Sequence, residues 1–378
     1  MVKEEMMTPK ERVFAAVNLE KPDRVPVVPL FDIPAAAAFL GLELGDLHRD
    51  LEKGVDAIIK VFDDLGGWDG YNMVPLAEIN YNSGGLKVKV PGKHLPNNYQ
   101  LQFDEKEWLK YEDYKKIADM GWKNFIKEEF IFRISDFKTP EEFRNAKINF
   151  LKVAFNAQIK WNKRKVGLNL ATTFNHPFFI LSLSRSLIKF TQDLYYRPEM
   201  VEPALEVMMD EYIEEGIKTS KRTGNKFVFI PEERAEAFFY PLKIFERFWW
   251  PYTKKLVDAW HPKGIIPWFH LDQCWDKNIP YFKELPKGSA ILDFDGLTDI
   301  FAAKKVLENH LCIMSDVHPT LLSLGTPKDV ADYCKKLIDK LGVDGGHILG
   351  SGCQVPPNCK YENFKAMIET GKTYQLSK

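Results

Sequence analysis

The chain has 378 residues, 45% of them hydrophobic and 28% charged, and a formal net charge of −1. That is the balance of a water-soluble protein with a large apolar core; with lysines and arginines spread along the chain and offset by acids, no basic stripe exists for nucleic acid. The opening MVKEEMMTPKERV is polar rather than a charged-then-apolar leader, and no apolar run is long enough to span a bilayer, so a cytoplasmic protein free of membrane is expected.

Thr8 followed by Pro9 and Glu11 marks a helix start, with Thr8 as N-cap, and the helix should run to about Asn18. Residues 21–32, KPDRVPVVPLFD, give a proline-rich turn and a strand that stops at Asp32. Helices are predicted over 35–40 and 47–65, and residues 67–75 supply a second strand ending near Val74. Alternation around Pro91-Gly92 and Pro96-Asn97-Asn98 then predicts an inserted β-hairpin at about 84–104. Residues 105–159 read as helical but mixed.

From Val166 the rhythm becomes regular. VGLNLAT ends at Thr172, FVFIPEE at Glu233, GIIPWFH at His270, SAILDFD at Asp295, LCIMSDV near His318 and HILGSGC at Cys353. Helix-compatible segments, including 200–220 and 245–260, separate them. With the strands ending near Asp32 and Val74 the count is eight, which predicts the α/β class and a (β/α)8 TIM barrel. The expected organisation is a single domain over 1–378, with an N-terminal helical extension over 1–23 and the hairpin as an excursion.

Barrel enzymes place their chemistry at the C-terminal ends of the strands. Those ends carry Asp32; Asn175 and His176; Glu232 and Glu233; His270 and Asp272; Asp293 and Asp295; Asp316 and His318; and Cys353. Barrel rims are polar because loops begin there, and helix capping is role enough for Asp295, Asp316 and His318. If the extended geometry persists, His270, Asp272 and Cys274 share one face, since side chains two apart in a strand point the same way. An imidazole and a thiolate converging on one face, as His270 and Cys353 would in a barrel, have few uses besides zinc. The five cysteines, at 274, 312, 334, 353 and 359, are odd in number and lack CxxC spacing, so they read as free thiols or ligands.

The chain also resembles the uroporphyrinogen decarboxylase superfamily, specifically its corrinoid-linked methyltransferase branch, which includes methylcobalamin:coenzyme M methyltransferases. The resemblance covers nearly the whole chain and rests on five segments. These are TPKERVFAAVNLEKPDRVPV from Thr8, FERFWWPYTKKLVDA from Phe245, the His270 strand, LLSLGTPKDVADYCKKLI from Leu321, and GCQVPPNCKYENFKAM from Gly352. It implies the barrel fold again. True decarboxylases of the superfamily carry an arginine-rich segment resembling RQAGRY that holds porphyrinogen carboxylates; here the first strand is followed by FDIPAAAAFLG, with no arginine for that task.

The methyltransferase branch has a zinc motif resembling His-x-Cys with a distant Gly-Cys, and His270 and Cys353 match its first and last ligands. The middle position is Asp272, which leaves Asp272, Cys274, Glu232 or Glu233 as the third ligand. Carboxylate in place of thiolate makes the metal harder and a better Lewis acid toward oxygen. The expectation is therefore a zinc-dependent methyltransferase working between a small substrate, a methoxylated aromatic compound above all, and the cobalt of a separate corrinoid protein. Metal ligands are expected at His270, Cys353, Asp272 and Glu233, catalytic roles at Glu233 and Asp272, and substrate contacts at Asp32, Asn175 and His176. A thiol-directed methylcobalamin methyltransferase and a metal-free decarboxylase are the alternatives, and a homodimer is left open.

Overall fold

The computed structural model describes residues 6–70 and 77–374. Two short strands, β1 (Val88–Lys89) and β2 (Gln102–Phe103), pair antiparallel as the hairpin. Six more lie side by side in chain order, all parallel: β3 (Leu170–Thr173), β4 (Phe227–Glu232), β5 (Ile266–Leu271), β6 (Ile291–Phe294), β7 (Cys312–Asp316) and β8 (His347–Gly350). Helices separate them, as parallel neighbours require. The helix expected over 245–260 is two, Leu242–Phe248 and Trp250–Trp260, because Pro251 fits only in the first turn of a new helix.

The first two expected strands are reduced to single bridges. Val27 bridges Leu349 in β8, and Gly70 bridges Leu168 just ahead of β3. Between them the Val27 carbonyl accepts from Asp69 N–H at 2.8 Å and the Asp69 carbonyl from Gly167 N–H at 2.5 Å, so hydrogen bonding continues around the ring. Pro22, Pro26 and Pro29 explain the first reduction, since each removes a donor that a full ladder needs. The predicted end of the second strand at Val74 lies outside the described residues.

Period-two alternation sorts the strand residues into two cores. Phe227 and Phe229, Ile266 and Trp268, Ile291, Cys312 and Met314, and Ile348 form the inner column, while Ile230, Phe269, Leu271, Leu292 and Ile313 face the surrounding helices. The first helix, Pro9–Val17, plugs the N-terminal mouth of that column with Val13, Ala16 and Val17, and its Phe14 ring lies 5.2 Å from Phe227. Thr8 caps this helix as predicted, and the Glu11 side chain completes a capping box.

Charge holds the plug in place. Fully buried Arg12 donates to Asp23 at 2.7 Å and to Asp69 at 2.6 Å; Asp69 also accepts from Arg24 at 2.6 Å and from Val27 N–H at 2.8 Å. Removing one partner of such a buried pair leaves an uncompensated charge, so Asp69→Ala should cost about 3–5 kcal/mol in equilibrium unfolding by urea. Asp23 gives the network a pH signature: burial raises its pKa, but the Arg12 hydrogen bond and charge and the Met7 N–H outweigh burial and hold it at about 2. A carboxylate whose folded pKa lies below its unfolded value contributes stability at neutral pH and loses it as pH falls through the folded pKa. Stability should therefore fall between about pH 4 and pH 2 more steeply in the wild type than in Asp23→Asn, measured by urea titration at stepped pH.

Candidate functional site

The inner column rises through Ile266 and Trp268 to His270 on β5, and Asp272 continues the alternation one step beyond the strand. Parallel register sets His270 opposite Asp293 on β6. His270 Nδ1–H donates to Asp293 Oδ2 at 2.8 Å, and the same oxygen accepts from Trp268 Nε1–H at 3.0 Å. With Nδ1 so occupied, Nε2 is the nitrogen left toward the rim, 3.4 Å from Asp272 Oδ1. The Phe229 ring stacks on the imidazole at 5.6 Å and 27°, which restricts the ring's swing.

Cys353 comes from the turn after β8, with β6 and β7 between that strand and β5. Gly352 sits at φ +61°, where a side chain would also meet the Asp295 carbonyl at 3.0 Å, and this turn follows β8 directly. Ser351 fixes it: its hydroxyl donates to the Cys353 carbonyl at 2.7 Å and accepts from Leu30 N–H at 2.9 Å. The result is that one ligand atom from each of His270, Asp272 and Cys353 lies within 4.8 Å of the others.

Four segments complete the floor. Asp32 caps the helix Ile33–Leu40 through Ile33 N–H and accepts from Gln354 Nε2 at 3.0 Å. Glu233, just past β4, is pushed up to about 7 by burial and then by the charge of Asp272. Tyr81 stands near both acids; burial, then Asp32 and Glu233, push its phenol up, and among the described residues its hydroxyl takes no hydrogen-bond partner. Asn175 lines the same cavity, beside Gly84.

Burial alone would lower the His270 pKa, but Asp272 and Asp293 outweigh it, and the imidazole is held well above its ordinary value. Burial, and then Asp272, push the Cys353 thiol up. An imidazole flanked by two carboxylates and a thiol is a donor set that a divalent cation satisfies better than protons do, because one ion replaces the imidazole and thiol protons together. Three protein donors with room beside them is the pattern of a catalytic zinc site rather than a closed structural one. Asp293 makes the kind of outer hydrogen bond that orients a histidine able to take a metal.

Other expected residues fall elsewhere. The strand ends at Leu271 and Gln273 takes φ +70°, so extension does not reach Cys274; its thiol turns to Asp276 at 3.4 Å and stands outside the group of three. Glu233 also stands outside that group, though it lines the cavity. Glu232 is walled in, accepting from Trp249 Nε1–H at 2.8 Å and Arg234 N–H at 2.9 Å, with burial pushing it up to about 8. His176 does not line the cavity: Nδ1 accepts from Phe178 N–H at 3.2 Å, Nε2 faces the Thr253 hydroxyl at 3.2 Å, and burial lowers its pKa to about 3. It is a buried helix cap. Asp295 holds the Asp272 loop through Gln273 N–H at 2.8 Å, and Asp316 accepts from Tyr333 at 2.7 Å. A second group, Glu78, His94 and Asp136, already has the Lys93 ammonium at 2.7 and 2.8 Å from its two acids.

Asp293, Tyr81 and Gln354 had no assigned roles in the sequence reading. Only Asp293 carried a signal, since aligning PWFHLD with AILDFD as neighbouring parallel strands sets it against His270.

The cavity over this floor has a volume of about 1350 Å³ and is walled by Phe103, Phe174, Tyr212, Phe229 and Trp122. Phe174 and Tyr212 stack at 4.8 Å and 18°. Single small-molecule pockets hold about 300–1,000 Å³, so the space exceeds one modest ligand.

A family model for uroporphyrinogen decarboxylase (URO-D) matches residues 171–374, more than half of the chain. The protein is therefore an α/β-barrel member of the uroporphyrinogen decarboxylase family. Among curated relatives, the methylcobamide:CoM methyltransferase MtbA of Methanosarcina acetivorans is 28% identical over 133 residues, 35% of this chain and 38% of the relative. The MtbA of Methanosarcina mazei is 28% identical over 142 residues, with the same shares. The uroporphyrinogen decarboxylase of Dichelobacter nodosus is 28% identical over 133 residues, 34% of this chain and 36% of the relative. The matched part thus spans little more than a third of these relatives. A solved methyltransferase from Methanosarcina mazei superposes with a TM-score of 0.71 over 97% of this chain and 98% of its own, at 16% identity, which shows a shared fold.

His270→Ala and Cys353→Ala should each abolish tight zinc binding, measured by metal analysis after dialysis, while the circular dichroism spectrum stays that of the wild type. Asp293→Asn should weaken zinc binding by roughly 10–100-fold without abolishing it.

Proposed function

We propose that this protein transfers a methyl group between a small methoxylated aromatic compound and the cobalt of a corrinoid carried by a separate protein, using zinc held by His270, Asp272 and Cys353. The observation that carries the reading is the convergence of those three donors, within 4.8 Å of one another, on the floor of a cavity larger than one small ligand needs. Zinc bound there supplies Lewis acidity toward the ether oxygen. The two relatives named methylcobamide:CoM methyltransferase support methyl transfer with a corrinoid substrate, and the donor set supports oxygen as the atom that gives up the methyl group.

The chain's own residues do the rest. Asp293 holds the His270 ring in place and fixes which nitrogen faces the substrate. The aromatic walls take a flat apolar ring by stacking and exclude water from the reacting atoms. Glu233, its carboxyl pushed up by burial first and then by Asp272, lines the cavity beside the metal ligands and hands a proton to the substrate oxygen as the methyl group leaves. Tyr81 offers a hydroxyl that takes no hydrogen-bond partner among the described residues, suited to a second polar substituent on the ring.

The direct experiment mixes the zinc-loaded protein with cob(I)alamin and methoxybenzenes and follows the absorption change from Co(I) to methylated corrinoid. Absence of any change with all methoxyarenes tried, at one zinc per chain, removes the reading. Asp272 sets the expected preference. Asp272→Cys should keep zinc but lose on the order of tenfold or more in kcat/KM on methyl ethers, with thiols and thioethers gaining relative to them.

A further inference from the structure

The helix Pro140–Lys163 has two apolar faces. It packs on the barrel through Phe143, Ala157 and Trp161. On its outer side Ile148, Leu151, Phe155 and Ile159 are 44%, 53%, 68% and 42% exposed. At about 100° per residue these four fall within roughly 80° of one another, on the side facing away from the packed residues, and they run about 16 Å along the helix. A solvent-exposed helix side is ordinarily polar, and a contiguous apolar row there marks an interaction surface.

The row leads into the cavity, because Ile148 and Leu151 also line it. Cations surround it. Lys152 and Lys163 on the helix, and Lys127 and Arg222 on the cavity rim, are exposed and make no salt bridge among the described residues. We infer that this helix side is the docking surface for the protein that carries the corrinoid, and that the partner meets it with an apolar patch ringed by acids. The inference rests on the function proposed above, which needs a protein-borne group to reach a buried floor through this mouth. A second copy of the chain fits poorly, since a two-fold contact would set this same basic rim against itself.

The test uses Phe155→Glu and Ile159→Glu, which lie outside the cavity lining and are exposed, so the fold and the site are untouched. Each is assayed with a methoxyarene and either free cob(I)alamin or a cobalamin-loaded carrier protein on which the wild type is active. The expected result is a rise of roughly tenfold or more in KM for the carrier, with turnover of free cobalamin unchanged and the wild-type carrier reaction slowed by salt. An unchanged KM for the carrier overturns the inference while leaving the proposed reaction standing. So does a wild-type dimer in sedimentation that Phe155→Glu dissolves. If the wild type methylates neither free cobalamin nor any carrier, the proposed reaction itself falls and the docking surface falls with it.

Discussion

The candidate site depends on a hydrogen bond between two buried groups on neighbouring strands, His270 and Asp293. A carboxylate taken fully out of water is costly unless donors meet it. Here two donors, the His270 imidazole and the Trp268 indole, converge on one oxygen at 2.8 and 3.0 Å. Burial still raises the Asp293 pKa, with His270 and Trp268 working against it. What the arrangement yields is direction: with Nδ1 committed downward and Phe229 stacked on the ring face, the remaining nitrogen points to the Asp272 and Cys353 side. Orientation of this kind is set by the fold before any ligand arrives.

Direction alone would not assemble three donors, because β5 and β8 are separated by two intervening strands. The donors meet over the barrel axis, which is possible only where inner-facing side chains reach inward and where the chain after β8 turns back over the mouth. Gly352 supplies the turn, and Ser351 ties it to Leu30 in the segment that closes the ring. The reduced first strand therefore has a role despite its three prolines: it bridges β8, anchors the Cys353 turn, and ends at Asp32 beside Gln354. Ring closure and the site share the same few hydrogen bonds.

Much of this was legible in the sequence because it follows from periodicity. Six parallel strands appear where short apolar runs predicted them, and the i, i+2 rule puts Asp272 beside His270. The rule failed two residues later, at Cys274, because it holds only while the backbone stays extended, and nothing in HLDQC announces the positive φ at Gln273. His176 misled for a related reason. A histidine ahead of a proline looks the same at a rim as in a buried cap, and only the Thr253 hydroxyl and the Phe178 N–H distinguish the two. Asp293 was visible as a strand-end acid, but its role depends on register between strands, which a single sequence states only weakly.

Charge gives the cavity a polarity that the net value of −1 conceals. The floor gathers Glu233, Asp272 and Asp293 around one imidazole, and burial, then the charge of Asp272, pushes Glu233 up to about 7. The rim carries Lys127 and Arg222, which make no salt bridge among the described residues. Low-dielectric walls between the two ends focus the field along the cavity instead of letting water disperse it. A divalent cation on the floor would relieve the repulsion from Asp272, while burial, the larger cause that raises Glu233, stays in place. The rim cations gain nothing from that ion. Their charge is left to act outward, on whatever approaches the mouth, and the apolar row of the Pro140–Lys163 helix begins at that point.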